Sequence, residues 1–245
     1  MSSSPSLLRR EGISELFGLT SRRPKGSPVS TTVLYMSMSL DGFIAGPNET
    51  PDHGLGDGGL RLHDWLIAES GPEAGHGHEQ LRQAMLEGVS GINRQIVDEF
   101  MATGAVVAGR GTVEPAGYWD GDHHDGVPIF IVSRSEPPAA VREMPLVTFV
   151  DDVVTAMAEA KRAAGDKGVL VHGAGVTQLA LGAGVLDELE ISVVPVLLGQ
   201  GRRLFDNLAA EHVELERTRV LHGDAGVTHL HYLVKRAEAD VSPRQ

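Results

Sequence analysis

The sequence predicts an α/β fold on a mostly parallel sheet that closes with an antiparallel hairpin. Three observations carry this. From Gly91 onward, short apolar runs alternate with segments of helical periodicity. The runs are nearly continuous in Val, Ile and Leu, as strands covered on both faces are. The last two runs flank Gly223-Asp-Ala, which reads as a hairpin turn.

Taken in order, the first 30 residues are basic and rich in Ser and Pro, and read as a disordered tail with a possible short helix over 6–17. A single domain is expected over 31–237, and a disordered C-terminus over 238–245. Thr32–Leu40 is a buried-strand candidate, followed by Asp41-Gly42 and the short run Phe43–Ala45. Gly46–Gly59 is a glycine-rich loop, expected to move and close over a site. Leu60–Ala68 reads as a short helix and 70–90 as irregular. Ile92, Ile96, Val97, Phe100 and Met101 share one helix face. Ala105–Ala108, Val127–Val132 and Leu146–Val150 read as strands. A helix capped by Asp151 or Asp152 runs to Ala164. Val169–His172 is a strand, Thr177–Ala183 a helix, and Leu189–Leu198, Val213–Leu221 and Gly226–Arg236 are strands.

Composition narrows the function. The 245 residues carry a formal net charge of −12, which disfavours nucleic acid as a partner. There is no cysteine, so disulfides, thiolate catalysis and Cys-ligated zinc are excluded. No run of 18 apolar residues and no secretory leader is present, so a cytoplasmic protein without membrane contact is expected. The histidines, including His76, His78, His123, His124, His229 and His231, lack an HExxH pattern. They read as surface groups, and no metal is expected.

Chemistry points to strand ends. Val107-Ala-Gly109-Arg110-Gly-Thr112, Val132-Ser133-Arg134 and Val171-His172-Gly173-Ala174-Gly175-Val176-Thr177 each close a strand. Glycines let a phosphate approach the backbone, helix N-termini offer N–H donors, and arginine forks match phosphate oxygens. Ser39-Leu-Asp41-Gly42 places a carboxylate at another strand end, where it is either a turn former or a group facing substrate. Trp65, Trp119 and Phe205 read as core or pocket walls.

Met38-Ser-Leu-Asp-Gly-Phe-Ile-Ala45, Gly109-Arg110, Ser133-Arg134, His172-Gly-Ala-Gly175 and the run Leu186–Phe205 resemble, in this order, the riboflavin-biosynthesis reductase domain and its dihydrofolate-reductase-like relatives. The resemblance spans Thr32 to Lys235. It implies a three-layer fold on an eight-stranded sheet, a homodimer, and NADPH lying across the strand ends. By the same resemblance Gly109, Arg110 and Thr112 would meet phosphate, and Ser133 and Arg134 the adenosine 2′-phosphate. Gly173, Ala174, Gly175, Val176 and Thr177 would hold the pyrophosphate, and Ala45 would line the nicotinamide. Asp41 would act on the substrate, bordered by Ser39, Phe43 and Trp65. Phe43 stands where the riboflavin-pathway enzymes usually carry Lys. The expected function is therefore NADPH-dependent reduction of a small heteroaromatic or carbonyl/imine substrate. The alternatives are a non-catalytic nucleotide-binding module and a flavin- or deazaflavin-dependent reductase.

Overall fold

The computed structural model of the chain describes residues 30–50, 53–67, 83, 87–208 and 212–235. The expected N-terminal tail up to residue 29, its helix over 6–17, the C-terminal stretch 238–245 and most of 70–90 lie outside the described residues. Ser30, assigned to the tail, is already buried and its hydroxyl donates to the Lys167 carbonyl.

The strands are β1 (Thr32–Ser39), β2 (Phe43–Ala45), β3 (Ala105–Gly109), β4 (Ile129–Val132), β5 (Val147–Val150), β6 (Val169–His172), β7 (Glu188–Val194), β8 (Arg202–Arg203), β9 (Leu215–His222) and β10 (Thr228–Val234). The helices are α1 (Asp64–Ile67), α2 (Gly91–Met101), α3 (Arg110–Val113), α4 (Ala139–Arg142), α5 (Val153–Ala164) and α6 (Ala174–Gly182). Eight strands form one sheet in the order β5-β4-β3-β6-β1-β7-β10-β9. The first six are mutually parallel, and β10 and β9 close the sheet as an antiparallel pair. β2 and β8 make a separate two-stranded piece, which the sequence reading did not anticipate.

Alternation along the strands builds three layers. Val107, Val169 and Val171 pack into one cluster with Ala156, Met157 and Ala160 of α5 and Ala180 of α6. Val106, Ala108 and Leu170 face the other way, into a cluster with Trp119. On that second face Ile96 and Val97 of α2 pack against Trp65, Leu66, Val194 and Val227. Each fully buried Val, Leu, Ile or Met among them contributes about 1.5–3 kcal/mol. Asp152 caps α5 by accepting from the N–H groups of Val154 and Thr155, both at 2.9 Å.

A charged cluster holds α2 over the sheet. Arg219 of β9 pairs with both carboxylate oxygens of Glu99 on α2, at 2.7 and 2.6 Å, and with Glu190 of β7 at 2.8 Å. Burial pushes the Glu190 carboxyl up, while Arg219 beside it favours the anion. Pro195 ends β7 four residues before the expected Leu198, because it has no N–H for the ladder. α6 starts at Ala174, three residues earlier than expected, directly after Gly173. Among the described residues, no helix is long and apolar enough to cross a membrane.

Candidate active site

The parallel strands β4, β3, β6 and β1 are consecutive neighbours, so their C-terminal ends emerge along one edge of the sheet. At roughly 4.8 Å per strand, that row spans about 14 Å. It gathers Ser133-Arg134, Gly109–Thr112, Gly173–Thr177 and Ser39–Ala45, which the sequence had marked separately. Ligands of open α/β sheets bind at this edge.

Two of these turns touch. Gly173 adopts φ 103° and ψ 157°, and a Cβ there would stand 1.9 Å from the Thr112 hydroxyl oxygen. A Cβ on Gly109 would lie 3.7 Å from the Val176 nitrogen. Gly175 differs, since apart from its chain neighbours and the helix's own backbone no atom lies within 4 Å of where its Cβ would be. The first N–H groups of α6 therefore border open space at Gly175. Thr177, expected among the pyrophosphate ligands, is instead fully buried. Its N–H and hydroxyl both donate to the Gly173 carbonyl, at 3.2 and 2.7 Å, and close the first helical turn.

The other charged residues of the edge differ in availability. Arg110 folds back onto Glu114, one turn on, with its Nε donating at 2.8 Å. That hydrogen bond raises the guanidinium's affinity for its proton. Arg134 is exposed and makes no ion pair among the described residues. Ser133 accepts from the Ser135 N–H at 3.1 Å and donates to the Ser135 carbonyl at 3.2 Å.

The turn after β1 is tightly tied. The Asp41 carboxylate accepts the Ser39 hydroxyl at 2.6 Å and the N–H groups of Leu198 and Gly199 at 3.1 and 2.7 Å. The Ser39 hydroxyl in turn accepts the Phe43 N–H at 2.9 Å. These donors, led by Ser39, hold the Asp41 carboxyl down at about 2. Asp41 is thus an anion clamping the 198–199 segment onto the β1 turn. Such a group is poorly matched to relaying a proton near neutral pH. Arg203 lies over the Phe43 ring at 4.3 Å and donates to the Asp41 carbonyl at 2.9 Å. Ser39 and Phe43 are buried in this network, and Ala45 is packed against Gly201, whose Cβ would meet the Ala45 carbonyl at 2.0 Å.

Between the sheet and α2 lies a cavity of about 130 Å³. Tyr35 and Ser37 of β1, Ser192 of β7 and His172 at the end of β6 form its floor. Ile96, Val97 and Phe100 of α2 form the roof, and His63, Trp65, Trp119 and His123 close the sides. Of the four residues expected around the substrate, Trp65 lines this cavity, and its Nε1 donates to the Ser37 hydroxyl at 2.9 Å. Ser39, Asp41 and Phe43 are not among its walls. Among the described residues, the lining contains no Lys, Arg, Asp or Glu.

Its polar feature is a pair of imidazoles. The Nδ1 atoms of His63 and His172 are buried and have no hydrogen-bond partner among the described residues. Burial pushes both rings down to about 4, and for His172 the neighbouring His63 adds to the effect. Both are neutral at physiological pH. The expectation that the histidines are surface groups therefore fails for several. His124 and His229 are fully buried and His123 nearly so. His124 bonds the Thr103 hydroxyl at 3.1 Å, and His229 bonds Ser192 at 2.9 Å and Asn93 at 3.1 Å. These partners offset desolvation.

Two loops complete the walls. Tyr118, Trp119 and Asp120 take left-handed φ values of 55°, 51° and 51°. That conformation costs roughly 1–2 kcal/mol per residue, and it carries Trp119 to 4.4 Å from His123 and 6.0 Å from His172. The Gly46–Gly59 loop, expected to move, is pinned in its described part. Gly46 donates to Leu55 and Asp57 to Pro47, both at 2.8 Å, and a Cβ on Gly56 would strike the Pro47 carbonyl at 2.3 Å.

The fold is shared with known proteins. The family model of the RibD C-terminal domain matches residues 31–229. A putative riboflavin biosynthesis protein from Shewanella sp. PV-4 is 23% identical with a TM-score of 0.59, over 84% of this chain and 99% of that one. A pyrimidine reductase-like protein from Corynebacterium diphtheriae is 13% identical with a TM-score of 0.51, over 85% and 92%. The Thermotoga maritima diaminohydroxyphosphoribosylaminopyrimidine deaminase/5-amino-6-(5-phosphoribosylamino)uracil reductase is 15% identical with a TM-score of 0.51, over 84% of this chain and 57% of that one. No curated protein sequence matches the chain.

Proposed function

Because the chain belongs to the RibD C-terminal domain family, we propose that it is an NADPH-dependent reductase of a small heteroaromatic or carbonyl/imine compound. The observation that carries this reading is the junction at residues 172 and 173. His172 lines the cavity, and the next residue opens the glycine turn that leads into α6. An acceptor in the cavity and a nucleotide on the strand edge would therefore be neighbours.

The residues present fit such a cofactor. The open space at Gly175 and the free N–H groups before Thr177 suit a pyrophosphate. Arg134, exposed at the far end of the row and without an ion pair among the described residues, suits a 2′-phosphate. Arg110 would join only by leaving Glu114. NADPH, when bound, supplies the hydride. Trp65, Phe100 and Trp119 exclude water and align the acceptor. Asp41 fixes the backbone of the 198–199 segment rather than carrying a proton. The riboflavin-pathway role is supported by family membership, and the Thermotoga maritima enzyme's name gives a phosphoribosylated uracil as one such substrate.

Calorimetric titration tests the cofactor choice. NADPH is expected to bind at least about tenfold tighter than NADH, or ~1.4 kcal/mol. Arg134→Ala should erase most of that preference without changing the melting temperature. Equal affinity for the two cofactors in the unaltered protein would refute the assignment of Arg134.

A further inference from the structure

We infer that Arg202 is a further phosphate-binding residue of the strand edge, and that Glu49 holds its guanidinium as an internal stand-in which an incoming phosphate displaces. This rests on the reading of the edge as the NADPH site and adds to it a residue to which the sequence gave no role.

Position comes first. Arg202 of β8 pairs with Ala45 of β2, and its side chain reaches the turn after β3. Its Nη1 donates to the Gly111 carbonyl. A Cβ on Gly111 would stand 3.0 Å from that nitrogen, 3.6 Å from Cζ and 3.7 Å from Nη2, so the whole guanidinium lies against Gly111. The next residue is Thr112, which meets Gly173 where the two central turns touch. Arg202 therefore stands between Ala45, expected at the nicotinamide, and the glycine turns expected at the pyrophosphate. Charge comes second. The chain carries −12 overall, so it attracts a polyanion only where cations gather locally. Of the arginines at this edge, Arg110 is taken up by Glu114, and Arg203 by Phe43 and the Asp41 carbonyl. Arg202 is 33% exposed, and its Nη2 pairs with Glu49 at 3.0 Å. A carboxylate there takes the place that a phosphate oxygen would fill on an arginine fork. Exchange comes third. The Glu49 side chain is only 14% exposed. Burial pushes its carboxyl up, while Arg202 favours the anion. Release returns the carboxylate to water, which offsets much of the lost attraction. The backbone need not follow, because the loop stays held by the Gly46 N–H on Leu55 and the Asp57 N–H on Pro47.

Calorimetric titration of the full chain with NADPH and with inorganic pyrophosphate tests this. Glu49→Gln keeps the shape of the side chain and removes its charge. It should tighten both ligands by about tenfold, the scale of one charge-assisted hydrogen bond set free. A gain of affinity cannot come from misfolding. Arg202→Gln should weaken both ligands by at least about tenfold. In the Arg202→Gln background, Glu49→Gln should change affinity by less than about twofold, because Glu49 acts through Arg202. Loss of affinity in both single variants would overturn the inference and make the pair a strut between the loop and the turn. A gain from Glu49→Gln that persists without Arg202 would also overturn it, since the effect would then be removal of a repelling charge alone. If the parent binds NADPH and Arg202→Gln binds it equally well, the inference fails and the reductase reading stands. If pyrophosphate follows the expected pattern while the parent does not bind NADPH, the reductase reading fails and Arg202 stands as a phosphate ligand.

Discussion

Replacing Gly173 by Ala probes the contact that joins the two central strand-end turns. The backbone at φ 103° and ψ 157° lies in a region open to glycine alone, so alanine there costs on the order of 1–3 kcal/mol. The added Cβ would also stand 1.9 Å from the Thr112 hydroxyl oxygen, 3.0 Å from its Cβ and 3.3 Å from its methyl group. Overlaps of that kind add about 1–3 kcal/mol. The sum is about 4 kcal/mol, which for a domain of this size lowers the melting temperature by on the order of 10 °C. A double-mutant cycle separates the parts. Thr112→Ala removes the oxygen and the methyl but leaves the Cβ contact and the backbone strain. We therefore expect Gly173→Ala with Thr112→Ala to recover about 1–2 kcal/mol relative to additivity. Urea unfolding followed by tryptophan fluorescence measures all four corners. A Gly173→Ala protein within about 1 kcal/mol of the parent, or strict additivity in the cycle, would refute contact between the two turns.

Two further outcomes follow from the same geometry. Asp41→Asn sets an amide NH₂ against the Gly199 or Leu198 N–H, so the melting temperature should fall, and an unchanged value would remove Asp41 as the clamp. The carboxylate's contribution is present above its ordinary value near 3.8 and is lost only as pH falls toward about 2, so it should not alter stability between pH 5 and 8. The buried imidazoles behave differently. His63, His172 and His229 are held near 4 in the fold against 6.5 when exposed, by burial in each case and for His229 also by the Arg219 charge. Unfolding then takes up protons between these values, so stability is full above pH 6.5 and declines as pH falls toward 4. Each ring accounts for up to about 3 kcal/mol. A urea midpoint that stays constant from pH 7.5 to 5 would contradict this.

How much of this was legible in the sequence depends on range. The six parallel strands and the closing hairpin were readable because each strand's character is local, and glycine at strand ends marks turns. The pairing of Arg110 with Glu114 was also written in the sequence, as an i,i+4 pair, though Arg110 was read only as a phosphate ligand or a surface arginine of the turn. Thr177 was misjudged because a threonine four residues after a carbonyl can turn its hydroxyl inward onto the helix. His63 and His172 are more than a hundred residues apart, and no periodicity links them. They meet because β6 returns between β1 and β3 while the 59–67 segment folds down beside β1. The left-handed run Tyr118–Asp120 runs against the preferences of its residues and is set by tertiary packing around Trp119. The glycine-rich loop looked free because its restraints are close backbone contacts that composition does not reveal.

Gly175→Leu offers the most direct test of NADPH on the strand edge. The side chain would enter open space at the start of α6, where, apart from its chain neighbours and the helix's own backbone, no atom lies within 4 Å of its Cβ, and leucine is a better helix residue than glycine by roughly 0.8 kcal/mol. The variant should melt at or above the parent's temperature and show no NADPH binding by calorimetry at concentrations that saturate the parent. NADPH binding to folded Gly175→Leu with the parent's affinity would contradict the account.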